Sequence, residues 1–104
     1  MQNRKKQMSG REIKKHAALA ETLLKQLANK NRLLILCRLV QGEETVGGLV
    51  AEVGLAQSAV SQHLMKMKTA KLVAAEKRGQ QVYYSIANDD VKAILKTLYQ
   101  IYCA

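Results

Sequence analysis

The chain is 104 residues long, carries a formal net charge of +9 and is 48% hydrophobic, with two cysteines and no Phe, Trp or Pro. That length suits one small domain that buries its own core, and a core of Leu, Val, Ile, Ala and Met favours packed helices. So basic a domain meets a polyanion, nucleic acid before an anionic membrane surface. The longest apolar run, Leu33 to Cys37, is stopped by Arg38, so no stretch reads as a bilayer span. The basic, polar segment Met1 to Arg11 lacks the apolar stretch of a secretory signal. A cytoplasmic protein is expected, in which two cysteines are kept reduced. No Ser/His/Asp or Cys/His arrangement with recognisable spacing occurs, nor any Cys-x-x-Cys. Neither an enzyme nor a cofactor is expected.

In chain order, residues 1–11 read as a disordered basic arm and 12–104 as the folded domain. From Ile13 the apolar positions Ile13, Ala17, Ala20, Leu24 and Leu27 recur at steps of four and three, a helical seam that pairs with another helix or with the chain's own core. Asn29 can cap a second helix from about Lys30 to Val40. After the turn Gln41-Gly42-Glu43-Glu44, Thr45 can cap a third through Val46, Leu49, Val50 and Val53, ended by Gly54. A fourth helix follows Leu55-Ala56, with Val60, Leu64 and Met67 on one side and Gln57, Ser58, Ser61, Gln62 and Lys66 mostly on the other. Two helices joined by a three- to four-residue turn containing Gly is the helix-turn-helix pattern.

After Lys71 the period changes to two. Leu72 to Lys77 reads as one strand, and Val82, Tyr84 and Ile86 alternate with Gln81, Tyr83 and Ser85 in a second. Lys77-Arg78-Gly79-Gln80 forms the hairpin tip, with two cations and Gly79 available for positive φ. Asn88 then caps a last helix striped by Val91, Ile94, Leu95, Leu98 and Ile101. The architecture is mainly α, a winged helix-turn-helix in α-α-α-α-β-β-α order. From Ala56 to Val82 five cations (Lys66, Lys68, Lys71, Lys77, Arg78) stand against one anion, Glu76. A charge run alone is usually a solvated face; here it falls on a polar, acid-free helix and a wing, which suits base edges and phosphates.

Ala28-Asn29-Lys30-Asn31-Arg32-Leu33, Thr45-Val46-Gly47-Gly48-Leu49, Gln57-Ser58-Ala59-Val60-Ser61-Gln62-His63-Leu64 and Val82-Tyr83-Tyr84-Ser85-Ile86 resemble the ArsR/SmtB family of winged-helix repressors, over roughly Leu19 to Cys103. The resemblance implies a homodimer built from the first and last helices and bound to double-stranded DNA at an imperfect inverted repeat. A twofold dimer places its recognition helices about one DNA turn, roughly 34 Å, apart. Base reading would fall to Gln57, Ser58, Ser61, Gln62 and His63, with Lys66 and Lys68 on phosphates. Arg78 and Gln80 at the wing tip, with Tyr83, would enter the minor groove or grip its backbone. Ala56 stands where the family often has a capping Ser or Thr, which leaves this helix start to Ser58 or water.

The family mostly senses metals, and here the sequence departs from it. The Cys-x-Cys of the arsenic, cadmium and lead sensors is replaced by Val46-Gly47-Gly48. The last helix, where zinc and nickel sensors place Asp and His pairs, has Asp89 and Asp90 but no histidine, while His16 and His63 lie far apart. No metal ligand set is therefore assigned. Taken alone, Cys37 and Cys103 read as two ordinary cysteines, one packed as a small hydrophobe. Their placement, one in the second helix and one at the end of the last, resembles the dithiol subgroup often called BigR, SqrR or HlyU. That resemblance implies a sulfur or redox sensor in which persulfide or oxidant bridges the thiols and DNA is released. The other reading is a regulator of the same family that senses a metal or another ligand, its cysteines only structural.

Overall fold

A computed structural model describes residues 7–103. Its elements run α1 (Gly10–Leu27), α2 (Lys30–Val40), α3 (Val46–Val53), α4 (Gln57–Thr69), β1 (Val73–Arg78), β2 (Gln81–Ile86) and α5 (Asp89–Tyr102). This is the winged helix-turn-helix order expected from the sequence, mainly helical with one antiparallel hairpin. Residues 1–6 of the expected basic arm lie outside the described residues. Gly10 and Arg11, assigned to that arm, are helical instead. Ser9 accepts the Glu12 N–H at 3.2 Å and the Glu12 carboxylate accepts the Ser9 N–H at 2.9 Å, a reciprocal capping box that starts α1 there.

The other helix starts follow from local chemistry. Asn29, Thr45 and Asn88 each accept first-turn N–H groups through their side-chain oxygens. Gly54 closes α3 in the left-handed region at φ 74°. The end of α4 uses a different residue. The Leu72 N–H donates to the Met67 carbonyl at 2.8 Å and the Lys71 N–H to that of Lys68 at 3.0 Å, which is the Schellman arrangement. The left-handed position, normally glycine, is Lys71 at φ 64°.

The core is wholly apolar. Ile35, Leu36 and Leu39 of α2 lie at its centre, with Leu49 from α3, Val60, Leu64 and Met67 from α4, Leu72 and Val73 leading into the hairpin, and Val91 and Leu95 from α5. α3, α4 and α5 each turn the stripe that their spacing indicated to the core, except that Ile101 of α5 stays exposed. α1 differs: Leu27 alone is buried, while Ile13, Leu19 and Leu24 remain more than half exposed. Arg32 ties its end to α2 by donating to the Gln26 carbonyl and side chain at 3.1 and 2.9 Å.

The hairpin pairs Val73 with Ile86 through Arg78 with Gln81 across a two-residue Gly79-Gln80 turn, Gly79 taking φ 63°. Its first strand is therefore one residue later than expected, because Leu72 is held in the helix-ending turn. Tyr84 and Ile86 pack on the core, but Val82 does not, because the tip extends beyond the helices. Glu44 exchanges backbone hydrogen bonds with Tyr84 at 3.0 and 2.8 Å, so the α2–α3 turn is joined to the wing. No helix among the described residues is long and apolar enough to cross a membrane.

Candidate nucleic-acid interface and thiol pair

α3 and α4 are joined by Gly54-Leu55-Ala56 and pack on one another. Burial of Val60, Leu64 and Met67 turns the opposite face of α4 outward. Gln57, Ser58, Gln62, Lys66 and Lys68 are exposed on it, and Ser61 is half-buried among them. Met65, 70% exposed, lies on this face too. Its step of four from Ser61 is the signal in the sequence that places it there. Among the described residues Lys66, Lys68, Lys71 and Lys77 take part in no ion pair, so their charge is available to a polyanion. Ala56 gives α4 no side-chain cap, and no hydroxyl of Ser58 substitutes for one.

His63 has a different environment. Its ring is half-buried, and Nδ1 is buried with no hydrogen-bond partner among the described residues. Burial first, then the charges of Arg32 and Lys66, push its imidazole below the ordinary range, so the ring is held neutral. Of the five residues assigned to base reading, His63 and Ser61 are the two that are half-buried.

The wing tip differs from expectation in charge. Lys77 and Gln80 are exposed as expected, but Arg78 is not a free cation. One guanidinium nitrogen pairs with Glu43 Oε2. The other reaches Glu43 Oε1 at 2.7 Å and Glu76 Oε1 at 2.8 Å, while the guanidinium lies 4.8 Å from the centre of the Tyr83 ring. Hydrogen bonding to Arg78 holds the Glu43 carboxyl below the usual carboxylate range. The residue missed by the sequence reading is Glu43. It lies outside the Ala56–Val82 window whose charges were counted, and only the Glu44–Tyr84 pairing brings it to the wing.

Below the same turn, Arg38 donates to Glu52 at 2.6 Å, to the Gly42 carbonyl at 3.0 Å and to Glu44 at 3.1 Å. Its neighbour Cys37 is exposed on α2. Cys103, also exposed, ends α5, and both are free thiols. α2 and α5 pack together, which brings the two cysteine-bearing helices to one side of the domain. Partial burial, then the charge of Cys103, push the Cys37 thiol above its ordinary range. Among the described residues no three His, Cys, Asp or Glu side chains group as a metal site.

Residues 29–75 match the family model described as bacterial regulatory protein, arsR family. The transcriptional activator HlyU of Vibrio cholerae is 42% identical over 96 residues, covering 92% of this chain and 89% of that protein. The crystal structure of HlyU from Vibrio vulnificus superposes with a TM-score of 0.88 at 43% identity, covering 92% of this chain and all of that one. The transcriptional repressor BigR from Xylella fastidiosa superposes with a TM-score of 0.84 at 29% identity, covering 91% and 94% of the two chains. On these matches the chain belongs to the arsR family of bacterial regulatory proteins.

Proposed function

We propose that this DNA-binding transcriptional regulator acts as a homodimer, and that bridging of Cys37 and Cys103 by reactive sulfur species or oxidants lowers its affinity for an inverted-repeat operator. The observation that carries the switch is the pair of free, exposed thiols, one on α2 and one at the end of α5, two helices that pack together. The dimer is supported by two unpartnered apolar faces. Ala17, Ala20, Leu24 and Ala28 line a shallow hollow on α1, and Tyr99, Ile101 and Tyr102 stand exposed on α5. Exposed apolar surface on helices at both ends of the chain is what a second copy would cover.

The chemistry balances without a metal. A thiolate attacks the outer sulfur of a low-molecular-weight persulfide, R–S–SH, giving Cys–S–SH and releasing R–SH. The second thiolate then attacks the protein-bound sulfur of that group, forming the disulfide and releasing hydrosulfide. A bridge of this span constrains the unfolded chain by roughly 4 kcal/mol, while a coupling of about 1–3 kcal/mol changes DNA affinity about 5- to 150-fold. The bridged form therefore need only fit the DNA-competent dimer slightly worse. Relatives include both a named activator and a named repressor; simple occlusion of a promoter makes repression the reading adopted here.

Intact mass spectrometry of the cytosolic-state, reduced protein before and after glutathione persulfide tests the bridge. The reading requires a bridged monomer, its mass lower by two hydrogens for a disulfide or that value plus whole sulfur atoms for a polysulfide, absent in Cys37→Ser and Cys103→Ser, which retain an added sulfur on the remaining thiol instead. Two thiols modified independently, with no bridged species, would contradict it and leave the cysteines structural.

A further inference from the structure

We propose that Glu43 is a competing ligand for the wing arginine: its carboxylate masks Arg78 in the free protein, and a DNA phosphate displaces it when the wing engages the duplex. The inference rests on the DNA-binding reading of the wing and goes beyond it, because it assigns a role to an acidic residue outside the helix-turn-helix and the hairpin. Three observations carry it. Both terminal nitrogens of Arg78 are occupied, by Glu43 at two oxygens and by Glu76 at one, and the guanidinium face lies on Tyr83. With Arg78 engaged by both carboxylates, Lys77 is the cation left unpaired at this tip among the described residues. The Arg78 and Glu43 side chains remain 44% and 42% exposed, so a phosphate can reach the guanidinium.

The exchange is chemically even. Carboxylate and phosphate both accept a guanidinium fork in bidentate geometry, so one anion replaces another. The fold keeps the displaced carboxylate nearby, because Glu44, the next residue, is fixed to Tyr84 by two backbone hydrogen bonds. The latch therefore competes at each binding event. It weakens binding to any duplex alike, since no base is read, and so sets overall affinity without changing the preference between sequences.

The test uses the full-length reduced protein and fluorescence anisotropy on two labelled duplexes, one from upstream of its own gene and one scrambled. Glu43→Gln keeps the shape and removes the charge. It should bind both duplexes about 3-fold more tightly at low salt, within what an exposed ion pair supplies, and steepen the salt dependence by up to about one unit. Glu43→Asp, which withdraws the fork but keeps the charge, should fall between. Arg78→Ala should weaken binding and abolish the gain, so that Glu43→Gln/Arg78→Ala matches Arg78→Ala. Circular dichroism confirms that each variant is folded. Unchanged or weaker binding by Glu43→Gln overturns the proposal, as does an equal gain in the Arg78→Ala background, which would reduce Glu43 to a distant repulsive charge. A wild-type protein that binds neither duplex overturns the DNA-binding reading itself, a result distinct from either of these.

Discussion

Gly47 and Gly48 are adjacent in the first turn of α3, yet alanine should act on them with opposite sign. An added methyl at Gly47 meets only the Thr45 hydroxyl, at 4.0 Å, which is ordinary contact. Gly47→Ala should therefore gain the usual advantage of alanine over glycine near a helix start, about 0.5 kcal/mol. A methyl at Gly48 runs into the Glu44 carboxylate. That carboxylate accepts the Thr45 N–H at 2.8 Å and pairs with Arg38 at 3.1 Å, the two side chains being only 24% and 20% exposed. Losing the hydrogen bond costs about 1 kcal/mol and the half-buried ion pair about 1 more. Against the gain of roughly 0.5, Gly48→Ala should lose about 1.5 kcal/mol. For a domain of this size that is a fall in Tm of about 6–12 °C, against a rise of about 2–4 °C for Gly47→Ala. Thermal unfolding followed by circular dichroism reads both, at one protein concentration because a dimer's Tm depends on it. In the Glu44→Ala background the Gly48→Ala loss should disappear. Shifts of the same sign at both glycines, or an undiminished loss without Glu44, would refute the packing argument.

Three further outcomes are expected. Lys71→Gly relieves a left-handed residue that costs lysine about 1 kcal/mol; part is returned as unfolded-chain entropy, leaving a gain of about 0.5 kcal/mol, and a lower Tm would contradict the Schellman reading. His63 has its imidazole pushed below the ordinary 6.5, so the unfolded chain takes up its proton first. Stability should be complete above about pH 6.5 and fall as pH drops below it, and urea unfolding between about pH 7.5 and 5.5 should show a shallower fall in His63→Gln; an unchanged slope would place the ring in solvent. Lys66→Ala should weaken binding to all duplexes alike and flatten the salt dependence by about one unit. A change in sequence preference would move Lys66 from phosphate to base.

The features legible in the sequence are those set by near neighbours. Asn29, Thr45 and Asn88 mark helix starts because a cap acts within three residues, and Gly54 and Gly79 mark positions where φ is positive. The stripes Val60–Leu64–Met67 and Val91–Leu95 predict the core because period 3.6 sorts one face inward. The Ser9–Glu12 box is equally local, but Ser9 follows a run of cations and falls within the expected arm, while Glu12 opens the expected domain. The Arg78–Glu43 pairing was not legible, since it joins residues 35 apart and depends on the α2–α3 turn meeting β2. Nor could the alternation in β2 show that Val82 lies beyond the core, because where the helices stop beneath a hairpin is a property of the packed domain. The partial burial of His63 is likewise a property of the packed domain, since its neighbours in sequence do not set it.

The central claim is that DNA affinity is governed by Cys37 and Cys103. It is tested most directly by fluorescence anisotropy on a duplex from upstream of the protein's own gene, with reduced protein and with protein treated with glutathione persulfide. The reduced protein should bind tightly, lose at least about 5-fold in affinity on treatment and recover with reductant, while Cys37→Ser should not respond. Tight binding that treatment leaves unchanged would contradict it, and the chain would then be a winged-helix regulator whose inducer acts elsewhere.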